Sequence, residues 1–147
     1  MHNPAAGVTT RYTLAAVSLA TASDMQVAAA LGNADPAVRD GDHYVINGTK
    51  RFITGANKAD FMQLMAATDR QKGSHGGISC FLVDMDTPGV KLGTSYQTMM
   101  GDRPWEIVLD NVRVPVSQRV GEEGGGFKLA QKWLGAGRVK HGARALG

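Results

Sequence analysis

The stretch His43-Tyr44-Val45-Ile46-Asn47-Gly48-Thr49-Lys50-Arg51-Phe52-Ile53-Thr54-Gly55-Ala56 decides how this chain is read. Two β-prone runs flank Asn47-Gly48, and both residues of that pair tolerate the positive φ of a type I′ turn. A hairpin turning at Asn47-Gly48 is therefore expected. Asp40-Gly41 offers a second turn one strand upstream, so the two pairs would bracket one short strand of a meander.

Downstream the pattern stays β. Phe61 to Thr68 and Ile78 to Val83 are largely apolar runs of strand length, separated by the polar loop Asp69 to Gly77. Asp86-Thr87-Pro88-Gly89 reads as a turn, because Pro presets φ and Gly accepts its positive value. Val90 to Leu92 is short, and Glu106 to Pro115 is a longer strand ended by its proline. Short strands, frequent turns and no intervening helix argue for a sandwich or barrel. The fold expected is mainly β with flanking helices, built on an antiparallel β-barrel.

The flanks change period. Leu14, Val17, Met25, Ala28 and Leu31 recur at roughly helical spacing between Tyr12 and Leu31, with Gly32-Asn33 as a stop and Asp35-Pro36 as a boundary. After Pro115, Arg119 to Gly126 reads as a flexible glycine hinge. Phe127, Ala130, Trp133 and Leu134 then predict a helix from near Gly126. This divides the chain into residues 1–35, 36–120 and 121–147.

The chain has 147 residues, enough for one domain with a sizeable core. With 16 Lys+Arg against 13 Asp+Glu, the net charge of +3 does not argue for nucleic acid. The five cations Lys128, Lys132, Arg138, Lys140 and Arg144 lie in a terminal segment without an acid, which could meet phosphates. The single cysteine, Cys80, sits in an apolar run and reads as a packed strand residue. One cysteine permits no internal disulfide and fits a reducing cytoplasm. His43, His75 and His141 have no ligand spacing with each other or with Cys80, so no metal site is expected. No apolar run reaches membrane-spanning length. Arg11 ahead of Leu14 to Ala20, followed by Ala20-Thr21-Ala22, imitates an export signal. Its apolar core is short and broken by Ser18, so none is expected.

The text from Asp40 to Ala56 resembles the middle β-domain of the acyl-CoA dehydrogenase family, where strands of the type GDxYVINGxKxFITNG run beside the flavin. The resemblance is dense from Ala37 to Gly147. It includes Met99-Met100-Gly101-Asp102-Arg103, similar to the family's MGxR segment, and Gly124-Gly125-Gly126-Phe127 onward, similar to the opening of its C-terminal helical domain. It is not visible in the first 35 or so residues. The family's Glu-Pro-x-Ala-Gly-Ser-Asp loop has only a distant echo in Thr21-Ala22-Ser23-Asp24.

The resemblance implies FAD as cofactor, with Phe52, Ile53 and Thr54 beside the isoalloxazine ring: an aromatic wall, a backbone contact and a hydroxyl. It implies that Arg138 lies near the substrate end of the site. Gly101 would turn the chain and Arg103 would pair with a carboxylate, both structural. The implied reaction is α,β-desaturation of acyl-CoA thioesters, with an acceptor such as electron-transfer flavoprotein and a homo-oligomeric enzyme. The catalytic glutamate of the family is not found; Gly137 stands before Arg138, where some members carry it. No catalytic residue is nominated. The chain is expected to be a truncated piece, inactive alone and cytoplasmic. Two other readings stay open: a non-catalytic β-barrel binding module with a basic helical tail, and a flavin oxidase or monooxygenase relative.

Overall fold

The computed structural model of this protein describes residues 14–15, 36–99, 101 and 103–132. Eight strands are present among them. They are β1 (Leu14–Ala15), β2 (Ala37–Asp40), β3 (His43–Ile53), β4 (Phe61–Ala67), β5 (Ile78–Asp84), β6 (Val90–Ser95), β7 (Trp105–Pro115) and β8 (Arg119–Val120). They form two four-stranded sheets, ordered β1-β4-β5-β8 and β2-β3-β7-β6. All pairings are antiparallel except β1 with β4. Residues 126–132 are helical and are labelled α1.

The main core lies between the sheets. Tyr44, Ile46, Ile107, Leu109, Val112 and Val114 from one sheet meet Met62, Leu64, Phe81 and Val83 from the other. Tyr44 and Phe81 pack edge to face, with ring centroids 5.0 Å apart. A smaller cluster joins Met65, Ala67, Ile78 and Cys80 to Ala130 of α1. Strands β4 and β5 thus send alternate residues into two cores, which is why their sequences are apolar runs with no polar alternation.

Three sequence expectations are corrected here. The barrel is not closed. Among the described residues the sheets meet through the single Pro36–Ala67 bridge, and a barrel needs a continuous ladder around its circumference. The expected hairpin at Asn47-Gly48 is absent: His43–Ile53 is one strand of 11 residues, paired along its length with β7. The turn expected one strand upstream, at Asp40-Gly41, does form: Gly41 and Asp42 connect β2 to β3, closed by the Asp40–His43 pair. Helical spacing between Tyr12 and Leu31 gave way at Leu14–Ala15, which pair with Phe61–Met62 as a strand. The remainder of that segment lies outside the described residues.

The Pro88-Gly89 turn forms as expected. Val90 N–H donates to Thr87 O at 3.0 Å, and Gly89 has φ 93. Gly89 also lies against the backbone of β7, where an added Cβ would stand 2.2 Å from Asp110 O.

Candidate flavin-facing site

Asn47-Gly48 fails to turn because Asn47 meets a better partner across the ladder. Ile46–Val112 is followed by Gly48–Leu109, so β7 carries one residue more than β3 at this point. The extra residue is accommodated at Asn111, which has φ 51. Asn111 N–H donates to Asn47 Oδ1 at 2.7 Å, and Asn47 Nδ2 donates to Asn111 Oδ1 at 3.3 Å. This β-bulge offsets the register by one residue.

A second bulge restores it. Lys50 pairs with Ile107 and Ile53 with Trp105, so Arg51 and Phe52 together face Glu106. Phe52 has φ 58, a conformation that costs an L-residue with an ordinary side chain about 1–2 kcal/mol. The bulge leaves the aromatic side chain 58% exposed. Its ring packs against that of Tyr96, with centroids 4.8 Å apart. Arg51 Nε meets Glu106 Oε1 at 3.2 Å on the same stretch.

The three residues assigned to the cofactor therefore differ. Phe52 and Thr54 are exposed, whereas the Ile53 side chain is buried in the core. Ile53 can offer a ligand only its backbone. Thr54 lies in the turn after β3, just before Gly55 at φ 79 and the 3₁₀ segment Ala56–Lys58. Phe52 and Thr54, two residues apart in sequence, thus leave an aromatic face and a hydroxyl open to solvent, and neither is sealed in the core. Arg138, assigned to substrate, lies outside the described residues, as do Gly137 and the later cations.

The glycines read as a slack hinge are packed tightly. Gly124 N–H donates to the buried Ser79 Oγ at 2.8 Å, and Ser79 Oγ also lies 2.8 Å from Thr68 Oγ1. A Cβ on Gly124 would sit 2.1 Å from Gly76 O, and one on Gly126 would sit 2.9 Å from Ile78 O. These glycines let the chain lie flush on β5 before α1 begins.

Sequence reasoning missed the cluster of Tyr44, Arg119 and Glu123. Tyr44 Oη donates to Glu123 Oε2 at 2.8 Å, while Arg119 Nη1 reaches Glu123 Oε2 at 3.0 Å and Tyr44 Oη at 3.3 Å. Burial, then the Glu123 hydrogen bond, pushes the Tyr44 pKa up. Arg119 Nε is buried without a hydrogen-bond partner. Arg119 and Glu123 are four residues apart, but no spacing rule links either to Tyr44, 75 and 79 residues upstream.

Cys80 is buried, its thiol pKa pushed up by burial, and its Sγ accepts a hydrogen bond from Gln63 at 3.4 Å. No group of His, Cys, Asp or Glu suited to a metal occurs among the described residues. Gly101 turns the chain at φ 84. Arg103 is exposed and makes no ion pair with the described residues; the neighbouring Asp102 lies outside them. A groove of about 440 Å³ is bordered by Phe61, Leu82, Asp84 and Arg119, and another of about 490 Å³ by Asp60, Asp84 and Asp86; neither reaches Phe52 or Thr54. No described helix is long and apolar enough to cross a membrane.

With this geometry in hand, the likeness to known proteins is specific. A sequence model described as "Acyl-CoA dehydrogenase, middle domain" matches residues 19–112, beginning upstream of the motifs that carry the resemblance. The mitochondrial isobutyryl-CoA dehydrogenase of Dictyostelium discoideum is 40% identical over 113 residues, covering 76% of this chain and 27% of that protein. Cyclohex-1-ene-1-carbonyl-CoA dehydrogenase of Geobacter metallireducens is 41% identical over 145 residues, covering 97% of this chain and 37% of that protein. The solved structure of butyryl-CoA dehydrogenase from Megasphaera elsdenii superposes with a TM-score of 0.69 at 37% identity, covering 74% of this chain and 29% of that one. The chain thus spans between 27% and 37% of the length of these relatives. It belongs to the acyl-CoA dehydrogenase family and carries the family's middle domain.

Proposed function

We propose that this chain supplies the β-domain wall of the flavin site in an acyl-CoA dehydrogenase acting on acyl-CoA thioesters. The observation that carries the reading is Phe52, an aromatic residue held at positive φ and turned outward at a bulge, next to the exposed Thr54. Backbone strain of this kind at an exposed aromatic supports a functional role, because restoring the β3–β7 register needs a bulge there but not an aromatic residue.

Bound FAD would supply hydride acceptance in the α,β-desaturation of the thioester. Phe52 gives the ring a flat apolar face and keeps water from it. The Thr54 hydroxyl would donate a hydrogen bond to a polar edge of the ring, and Ile53, its side chain buried, would offer only its backbone. Arg138 completes the substrate end. The proton-abstracting carboxylate would come from elsewhere in the enzyme, because Gly137 stands before Arg138, where some family members carry it. Electron-transfer flavoprotein is the acceptor we infer, and a homo-oligomer the assembly.

The test is titration of the chain with FAD, followed by flavin fluorescence, for the unaltered protein and Thr54→Val. Saturable binding, weakened by about tenfold in Thr54→Val through loss of one hydrogen bond, supports the reading. Equal binding by both proteins removes Thr54 from the site, and no binding by either rejects the reading.

A further inference from the structure

We propose that Tyr96 is a positioning residue for Phe52: its ring fixes the outward pose of the Phe52 ring that would face the flavin. The inference rests on the flavin reading above. Two non-glycine residues with positive φ occur among the described residues, Phe52 and Asn111, one at each bulge of the β3–β7 ladder. Asn111 explains itself, since asparagine tolerates that conformation and its amide groups are bonded to Asn47. Phe52 has no polar side chain to make such a bond, and a bulky residue there needs an outside restraint.

Tyr96 provides that restraint from an unexpected direction. Strand β7 lies between β3 and β6, and both outer strands gain a residue opposite Glu106. On β6 the irregularity falls between Leu92 and Ser95, where Gly93 leaves room for Glu106; an added Cβ would be 3.1 Å from its carboxylate. Tyr96 follows directly, anchored by its N–H to Pro104 O at 2.8 Å. Strands two apart are separated by about 9–10 Å, yet the Phe52 and Tyr96 ring centroids are 4.8 Å apart. Both rings therefore reach across β7. A surface aromatic would gain as much by packing on its own neighbours; contact over an intervening strand sets the direction of one ring by the other.

The test compares the unaltered chain with Tyr96→Ala and Tyr96→Phe, using FAD titration, the visible spectrum of bound flavin and thermal melting. Tyr96→Ala should bind FAD about three- to tenfold more weakly and alter the flavin band shape, because the tilted ring pair is lost. Tyr96→Phe should restore both and melt like the unaltered chain, and Tyr96→Ala should melt lower by no more than about 6 °C, through loss of the ring pair alone. Unchanged affinity and spectrum in Tyr96→Ala overturn the proposal while leaving the flavin reading intact. A large fall in melting temperature in Tyr96→Ala makes the residue a structural support and also overturns it. If the unaltered, folded chain takes up no FAD, the flavin reading fails and the inference falls with it.

Discussion

Asn47 and Asn111 clasp one another across β3 and β7, each amide side chain serving the bulge that the other residue would otherwise leave open. The 2.7 Å bond from Asn111 N–H to Asn47 Oδ1 satisfies a donor that the interrupted ladder cannot pair. Replacing Asn47 with Ala should cost about 1 kcal/mol or more, the usual loss when a hydrogen-bonded partner is removed. Asn111→Gly should cost less than Asn111→Val, since the position needs positive φ and a β-branched residue opposes it. Urea unfolding of the three variants checks the order.

Ser79 fastens the glycine strap to β5. Ser79→Ala leaves the Gly124 N–H without its acceptor in a buried place, an expected loss of about 1–3 kcal/mol. Gly124→Ala should be worse, because its Cβ would meet Gly76 O at 2.1 Å and φ is 78. Limited proteolysis between residues 121 and 132, together with urea unfolding, should show both variants opening there first.

Tyr44 gives the fold an alkaline limit. Its folded pKa is raised above the ordinary value of about 10, chiefly by burial, so the folded state holds the phenolic proton more tightly than the unfolded one. The stability that this provides is present in full below about pH 10 and is lost as pH rises through the raised value. Tyr44→Phe should be less stable by about 0.5–1.5 kcal/mol at neutral pH, with the gap narrowing above pH 10. Melting temperatures of both proteins between neutral and strongly alkaline pH measure it.

Phe52 separates stability from binding. Phe52→Gly relieves a positive-φ strain of about 1–2 kcal/mol and loses a ring pair of about 0.5–1.5 kcal/mol, so its stability should stay within about 1 kcal/mol of the unaltered chain. Phe52→Ala keeps the strain and loses the pair, and should be the less stable of the two. Both should lose FAD affinity. Parallel melting and FAD titrations decide whether the strain belongs to the fold or to the site.

Much of the fold was legible in local sequence. Pro88-Gly89 turned where expected, the apolar runs at Phe61 and Ile78 became strands, and Cys80 was buried among them. The Asn47-Gly48 expectation failed for a physical reason: the same asparagine that favours a turn can cap a bulge when a partner such as Asn111 stands opposite, and partnership across 64 residues is invisible locally. Barrel closure failed because strand pattern does not specify which edges meet. At the site, Phe52 and Thr54 stood out through the family motif, whereas Tyr96 and the Tyr44–Arg119–Glu123 cluster depend on tertiary contacts that no spacing encodes.

The most direct test follows the backbone amide resonances of the ¹⁵N-labelled chain as FAD is added. Saturable shifts confined to Phe52, Ile53, Thr54 and their neighbours, with β2 and the Tyr44–Glu123 cluster undisturbed, are the outcome expected here. Shifts centred elsewhere, or none at FAD concentrations that saturate a full-length relative, would contradict a flavin-facing wall at the second bulge of β3.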